Sequence, residues 1–278
     1  MTSLVVRAGD VELAVETFGD PADPTILLIH GASASMLWWE AALCARIAAA
    51  GRHVVRCDQR DTGLSTTFPL GDPGYAMSDL ARDAVAILDA LGVERAHVVG
   101  RSMSGGVALM LAVDHASRVA TVTFVSTTTG DDDLPPPTDA FRAASPQGEM
   151  DPADPEGAVD LLVASIRAYV GDDPGFDEQA TRTLAAADVA RTRDLRAATT
   201  NHFAMTFDAP VGGGFAEVRM PALVVHGERD PVFPLAHGRA LQAAMPGSTL
   251  VVLPGSGHEV LERSWPAFVD ALVAHTAR

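Results

Sequence analysis

Hydrophobic positions in the first 125 residues fall into short blocks separated by longer periodic stretches. Val11 to Phe18 alternates at period two, the signature of a half-buried strand. Thr25 to Ile29 is a continuous apolar run, and His53 to Cys57, Ala96 to Val99 and Val119 to Val125 are further short β-branched runs. Between them the spacing turns helical. Leu37 to Ala50 is alanine-rich and stops at Gly51, while Ser78 is placed to cap a helix from Asp79 to Leu91 that Gly92 ends. Strands alternating with helices of this length need crossover connections. A largely parallel sheet covered on both faces is therefore expected, with ligands at the carboxyl ends of its strands.

After Val125 the pattern breaks. The turn-rich linker Asp131 to Thr138 leads into helical segments such as Ala158 to Val170 and Phe176 to Ala190, with no strand signal up to about Glu217. Alternation resumes with strand Ala222 to His226, helix Leu235 to Ala244, strand Thr249 to Leu253 and a last helix from about Arg263 to Thr276. The division read from this is an α/β core over 1–130, a helical cap over 131–217 and the rest of the core over 218–278.

Composition narrows the picture. With 278 residues and 47% hydrophobic content, the chain can bury a full core without a metal or disulfide staple. Its two cysteines, Cys44 and Cys57, form no disulfide framework and read as buried free thiols. The start, Met1 to Arg7, lacks the basic opening and apolar run of a signal peptide, and no apolar stretch approaches spanning length, so a cytoplasmic location is expected. Every basic residue is arginine, and the formal net charge is −16. Nucleic acid and anionic membrane surfaces would be repelled by that balance. The acidic excess is strongest between Asp131 and Glu178, where thirteen carboxylates face two arginines. It reads as a solvated face, or as a rim that discourages anionic substrates.

Candidate chemistry centres on His97-Val-Val-Gly-Arg-Ser-Met-Ser-Gly-Gly106, a short strand running through a serine into a helix. A nucleophile elbow needs small residues two before and two after its serine, because the turn brings backbone close to the neighbouring helix and strand. Gly100 and Ser104 meet that need around Ser102, although the strict GxSxG pattern is broken at Ser104. Serine also requires a general base and a group that orients the base. Asp230 and His258 each lie just past the carboxyl end of a later strand, in the order Ser, Asp, His. Glu228 is near enough to compete for the acid role, but an aspartate before proline in a turn fits better. A tetrahedral intermediate needs two backbone donors as well. Met103, after the nucleophile, offers one N–H, and Ala32 in His30-Gly-Ala-Ser33 offers the other. His97 reads as core, and His53, His115, His237 and His275 as element termini or helix faces.

Taken together, His30-Gly31, the loop Asp58 to Ser65, the elbow at Ser102, Asp230 and Gly255-Ser-Gly-His258 resemble the signposts of the serine-nucleophile α/β-hydrolases. The resemblance runs from about residue 4 to the end of the chain, apart from the cap. It implies an α/β-hydrolase fold: a mostly parallel eight-stranded sheet with helices on both faces and an inserted helical cap. Within that family the chain is similar to the aclacinomycin methylesterase group, through Gly9 to Leu13, Phe18 to Pro24, Arg60-Asp-Thr-Gly63 and Ala96 to Gly100. Three departures stand out: Ser104 in place of glycine, Arg101 in place of an apolar residue, and His30-Gly31-Ala32 in place of a Met-Gly-Gly oxyanion loop.

The resemblance implies carboxylic ester hydrolysis through an acyl-enzyme on a small-molecule ester, in a monomer or homodimer, with no cofactor and no metal. A methyl ester of a bulky polyketide-type acid is the suggested substrate. A perhydrolase or haloperoxidase activity on the same triad, or a ligand receptor with little turnover, are the alternative readings. Arg101 either pairs with a nearby carboxylate or meets a polar substrate, because a buried guanidinium must be paired. Of Trp38 and Trp39, one is expected at the pocket and the other against the sheet. His202, Phe203 and Phe207 are candidates to line the cavity, with packing inside the cap as their alternative.

Overall fold

The computed structural model describes residues 1–148 and 150–277. Eight strands form one sheet: β1 (Thr2–Ala8), β2 (Val11–Phe18), β3 (Thr25–Ile29), β4 (His53–Cys57), β5 (Ala96–Arg101), β6 (Val119–Val125), β7 (Ala222–Gly227) and β8 (Thr249–Leu253). Their order across the sheet is β1-β2-β4-β3-β5-β6-β7-β8. The β1/β2 and β2/β4 pairs are antiparallel, and the remaining five are parallel. The sheet expected from the alternation is present, and every residue of β3, β4, β5 and β7 is buried. Covering both faces with helices buries such strands along their whole length.

Helices α1 (Ala41–Ala49) and α9 (Trp265–His275) cover one face. Ile26, Leu28, Val54 and Val99 meet Leu43, Ile47, Phe268 and Leu272 there. On the other face α2 (Met77–Ala90), α3 (Ser104–Asp114) and α8 (Ala236–Ala244) close over Leu27, Val55, Val98, Val122 and Val224. Between β6 and β7 lie α4 (Asp139–Ala144), α5 (Pro155–Val170), α6 (Glu178–Arg191) and α7 (Leu195–Ala204). A small apolar cluster of Met150, Ala158, Val159, Val163, Ala185 and Val189 joins α5 to α6, and Trp38 packs against it.

Local departures from the sequence reading have local causes. Strand β1 carries no strong signal because it is a half-exposed edge; its partner is set by the tight Gly9-Asp10 turn that pairs Ala8 with Val11. The run read as one helix from Leu37 to Ala50 is instead a 3-10 turn at Met36–Trp38 followed by α1. Ser35 Oγ accepts from Leu37 N–H there, and Trp39 turns into the core. Ser78 does not cap α2. The helix begins at Met77, with Asp79 reaching back to accept from Ala76 N–H at 2.8 Å, while Ser78 N–H goes to Asp208. Cys44 and Cys57 are buried and free, and burial pushes both thiols up, Cys44 to about 12.

Attachment of the α4–α7 segment to the core is uneven. The Arg191 guanidinium on α6 grips both carboxylate oxygens of the fully buried Asp58 at 3.0 and 2.7 Å. Asp58 also accepts from Met36 and Leu64 N–H, so one carboxylate orders the loops after β3 and β4 and bolts the α4–α7 segment to them. Asn201 on α7 adds contacts to Phe68, Pro69 and Gly71.

Candidate active site

β5 ends in the sharp turn at Ser102, where φ is +51°. For a residue with a Cβ that conformation costs energy, and it is retained where the surrounding structure forces it. The tight crossing shows at Gly100, where a Cβ would collide with the Ser104 carbonyl oxygen and the Ala108 methyl. Ser104 is tolerated because it faces inward. It is fully buried, and its hydroxyl donates to His30 O at 2.5 Å. Thr127, just past β6, donates its hydroxyl to Ser102 O at 2.7 Å and fixes the turn from the other side.

Three side chains from separate strand ends meet here. Ser102 Oγ is 3.0 Å from His258 Nε2, and His258 Nδ1 is 2.8 Å from Asp230 Oδ2. The other carboxylate oxygen accepts from Val232 and Phe233 N–H, both at 2.9 Å, which locks the acid's rotamer. Burial by itself would raise the Asp230 carboxyl. The charge of and hydrogen bond to His258, the nearby His226 and the Phe233 amide outweigh it and hold the group below the ordinary carboxylate range. Such a charge set against Nδ1 fixes the tautomer that leaves Nε2 free to take a proton from the serine. Glu228, the competing acid, points away and accepts from the Gly255 amide.

The loop after β3 comes within contact of Ser102. A Cβ on Gly31 would lie 2.9 Å from Ser102 Cβ, so only glycine allows the approach. Beyond it Ala32 and Met103 both line the cavity, and among the described residues no protein acceptor takes the N–H of either. Ser33, at φ +63°, donates its N–H to His202 Nδ1 at 3.0 Å, and His202 Nε2 donates to Arg60 O at 2.9 Å.

Above the serine opens a cavity of about 890 Å³, walled mostly by apolar side chains of α2, α3, α5, α7 and the segment after α7, including Met77, Met110, Leu162 and Ile166. Trp38 lines it, its indole N–H held by the Asp188 carboxylate at 2.7 Å. Phe203 and Phe207 line it too, at 65% and 56% exposure, which puts them at the rim. Of the two tryptophan candidates only Trp38 is placed to meet a substrate, and Trp39 is the one turned to the sheet. It is buried between His30 and Phe268, with ring centroids 5.7 and 5.9 Å away, because the turn at Met36–Trp38 points consecutive indoles in opposite directions. His202 is likewise no lining residue. Fully buried behind the Ser33 loop, it braces that loop against α7.

Arg101 is 2% exposed and does find a carboxylate. It forms an ion pair with Glu259, while Nη1 donates to His30 Nε2 at 2.8 Å and Nη2 to His258 O at 3.1 Å. Since a guanidinium can only donate, the His30 Nε2 it meets must be unprotonated. Burial, then Arg101, then His258 hold the His30 ring well below the imidazole range. Glu259 and Tyr169 are site residues that the sequence reading did not single out. Tyr169 on α5 stacks on Phe141, sits 5.6 Å from the His258 ring and accepts His258 N–H through its carbonyl at 2.9 Å. Glu259 had a signal, namely a carboxylate next to the histidine of a site that also carries an orphan arginine. Tyr169 had none, because only the packing of α5 brings it there.

Comparisons with known proteins bear on the fold and the family. A family described as alpha/beta hydrolase fold matches residues 24–263. Rhodomycin D methylesterase DauP of Streptomyces sp. (strain C5) is 31% identical, the alignment covering 99% of this chain and 98% of that protein. Rhodomycin D methylesterase DnrP of Streptomyces peucetius is 30% identical over the same shares. Among solved structures, the esterase RhEst1 from Rhodococcus sp. ECU1013 superposes with a TM-score of 0.77 at 23% identity, covering 100% of this chain and 99% of that one.

Proposed function

Because the chain belongs to the α/β hydrolase fold family, we propose that it hydrolyses carboxylic esters of bulky, largely apolar small molecules through an acyl-enzyme on Ser102. The observation that carries this reading is the unbroken hydrogen-bonded run from Ser102 Oγ through His258 to Asp230 at the floor of a cavity of about 890 Å³. In the first step His258 Nε2 takes the hydroxyl proton as Oγ attacks the ester carbonyl. The Ala32 and Met103 amides receive the oxyanion, and Asp230 stabilises the imidazolium. His258 then protonates the departing alkoxide, and water, activated by the same nitrogen, releases the acid.

Substrate class follows from the walls. Their apolar lining suits a large hydrophobic acyl group, while the Arg101 charge is already taken by Glu259, so the floor offers no spare cation to a carboxylate. With a formal net charge of −16, neutral esters are favoured over anionic ones. The likeness to two rhodomycin D methylesterases makes the methyl ester of a polyketide-type acid the first substrate to try.

A panel of esters varied in acyl and alcohol size tests the reading, run beside labelling with a fluorophosphonate. Turnover of bulky methyl esters is expected, falling by roughly 10⁴ or more in Ser102→Ala, together with loss of the label. Wild-type protein that neither labels nor turns over any member of the panel would refute it.

A further inference from the structure

Arg101 and Glu259 are each adjacent in sequence to a member of the triad, Ser102 and His258 respectively, and they pair with each other across the site. Both are buried, at 2% and 8% exposure. Burying an ion pair is costly enough that an apolar pair of equal volume generally serves stability as well or better. The contacts of this pair point to another role. From one guanidinium, Nη2 donates to the carbonyl of His258 at 3.1 Å, Nη1 donates to the ring of His30 at 2.8 Å, and the carboxylate of Glu259 closes the set. His30 sits at the end of β3, where the loop carrying Ala32 begins, and its carbonyl accepts from Ser104 and from the Gln59 side chain. One cation therefore ties together the three segments that carry nucleophile, base and oxyanion donors.

We propose that the Arg101–Glu259 pair positions His258 through its backbone carbonyl and keeps the floor of the site neutral, so that removing either charge alone is felt by the imidazole. This rests on the ester-hydrolase reading only for its kinetic readout. The titratable groups that surround His258 are Asp230 and His226 from the β7 end, Arg101 from β5, His30 from β3, Tyr169 from α5 and Glu259 beside it. His30 is held neutral, as burial also holds His226, whose ring stays below the imidazole range. Of these groups, the ones charged near neutral pH are Asp230, Arg101 and Glu259.

Removing one partner leaves the other's charge unopposed, and the two removals have opposite signs. In Arg101→Met the free Glu259 carboxylate favours the imidazolium, so the acid limb of the rate profile moves to higher pH. In Glu259→Gln the free guanidinium disfavours the imidazolium, so the limb moves to lower pH. Each shift is expected to be about one pH unit. The double variant restores the limb to the wild-type position, but kcat stays lower by about tenfold with KM little changed, because the bond to the His258 carbonyl is gone. Arg101→Lys keeps the charge and loses the fork, so it lowers kcat without moving the limb.

The same shifts are to be read without substrate by NMR titration of the His258 ring in wild type and in Glu259→Gln, the isosteric change that best preserves the fold. Shifts in a common direction, no shift in Glu259→Gln, or a double variant with wild-type kcat would each overturn the proposal. Failure to find an ester substrate would count against the hydrolase reading alone, since the NMR titration needs none.

Discussion

His202 makes a quantitative test of how the loop after β3 is braced. Its ring is fully buried, accepts the Ser33 N–H at Nδ1 and donates from Nε2 to Arg60 O. That pattern admits only the neutral ring, and burial pushes its pKa down to about 4 against the ordinary 6.5. In the unfolded chain the ring titrates near 6.5, so between about pH 6.5 and 4 the unfolded state holds a proton that the folded state refuses. The contribution is therefore fully present above about pH 6.5 and is lost as pH falls through that window. That separation corresponds to about 3 kcal/mol in all, of which about 2 kcal/mol is gone by pH 5.

The assay is urea unfolding of wild type and His202→Asn at pH 7.5 and at pH 5. Asparagine keeps an acceptor for Ser33 and cannot titrate. Wild type should lose about 2 kcal/mol more than the variant between the two pH values. His97, also pushed down to about 4 by burial, titrates in both proteins and cancels from the comparison. Parallel losses in the two proteins would refute the placement of a neutral, buried ring behind Ser33.

Other substitutions probe separate links. Arg191→Met strips the fully buried Asp58 of its counterion and should cost about 3 kcal/mol in urea unfolding, whereas a change within error would mean that the cap bolt contributes little. Gly100→Ala drives a methyl into the Ser104 carbonyl and should lower stability by roughly 1–3 kcal/mol together with activity; an unchanged melting temperature would contradict the tight elbow. Replacing both Phe203 and Phe207 by alanine should raise KM for bulky esters about tenfold and leave small acetates unaffected, and an equal effect on both would remove these rings from the rim of the cavity.

Much of the site was legible because its requirements are local. A strand, a small residue and a serine form an elbow within a few positions, and an acid or histidine just past a strand end needs only the strand to be recognised. What was misread depends on direction rather than on pattern. The stretch from Leu37 to Ala50 has helical composition, yet one turn at Met36–Trp38 decides that Trp38 meets the cavity and Trp39 the core. His202 looked like a lining residue because it sits beside Phe203, but neighbours on a helix diverge by about 100° and this one turns inward. Strand β1 left little trace because an edge strand need bury only part of one face.

The sequence by itself determined most of the alternation of strands and helices, β1 apart, and offered three residues for catalysis, since each signal is encoded in the few residues around it. Only the tertiary structure decided the partners: Arg101 with Glu259, Arg191 with Asp58, Trp38 with Asp188, His202 with Ser33. All four pairs lie more than 130 positions apart. Nothing in the local chain specifies such a pairing. Burial does, because a charge or a polar ring taken out of water must meet whatever complementary group the packing of helices on the sheet brings within reach.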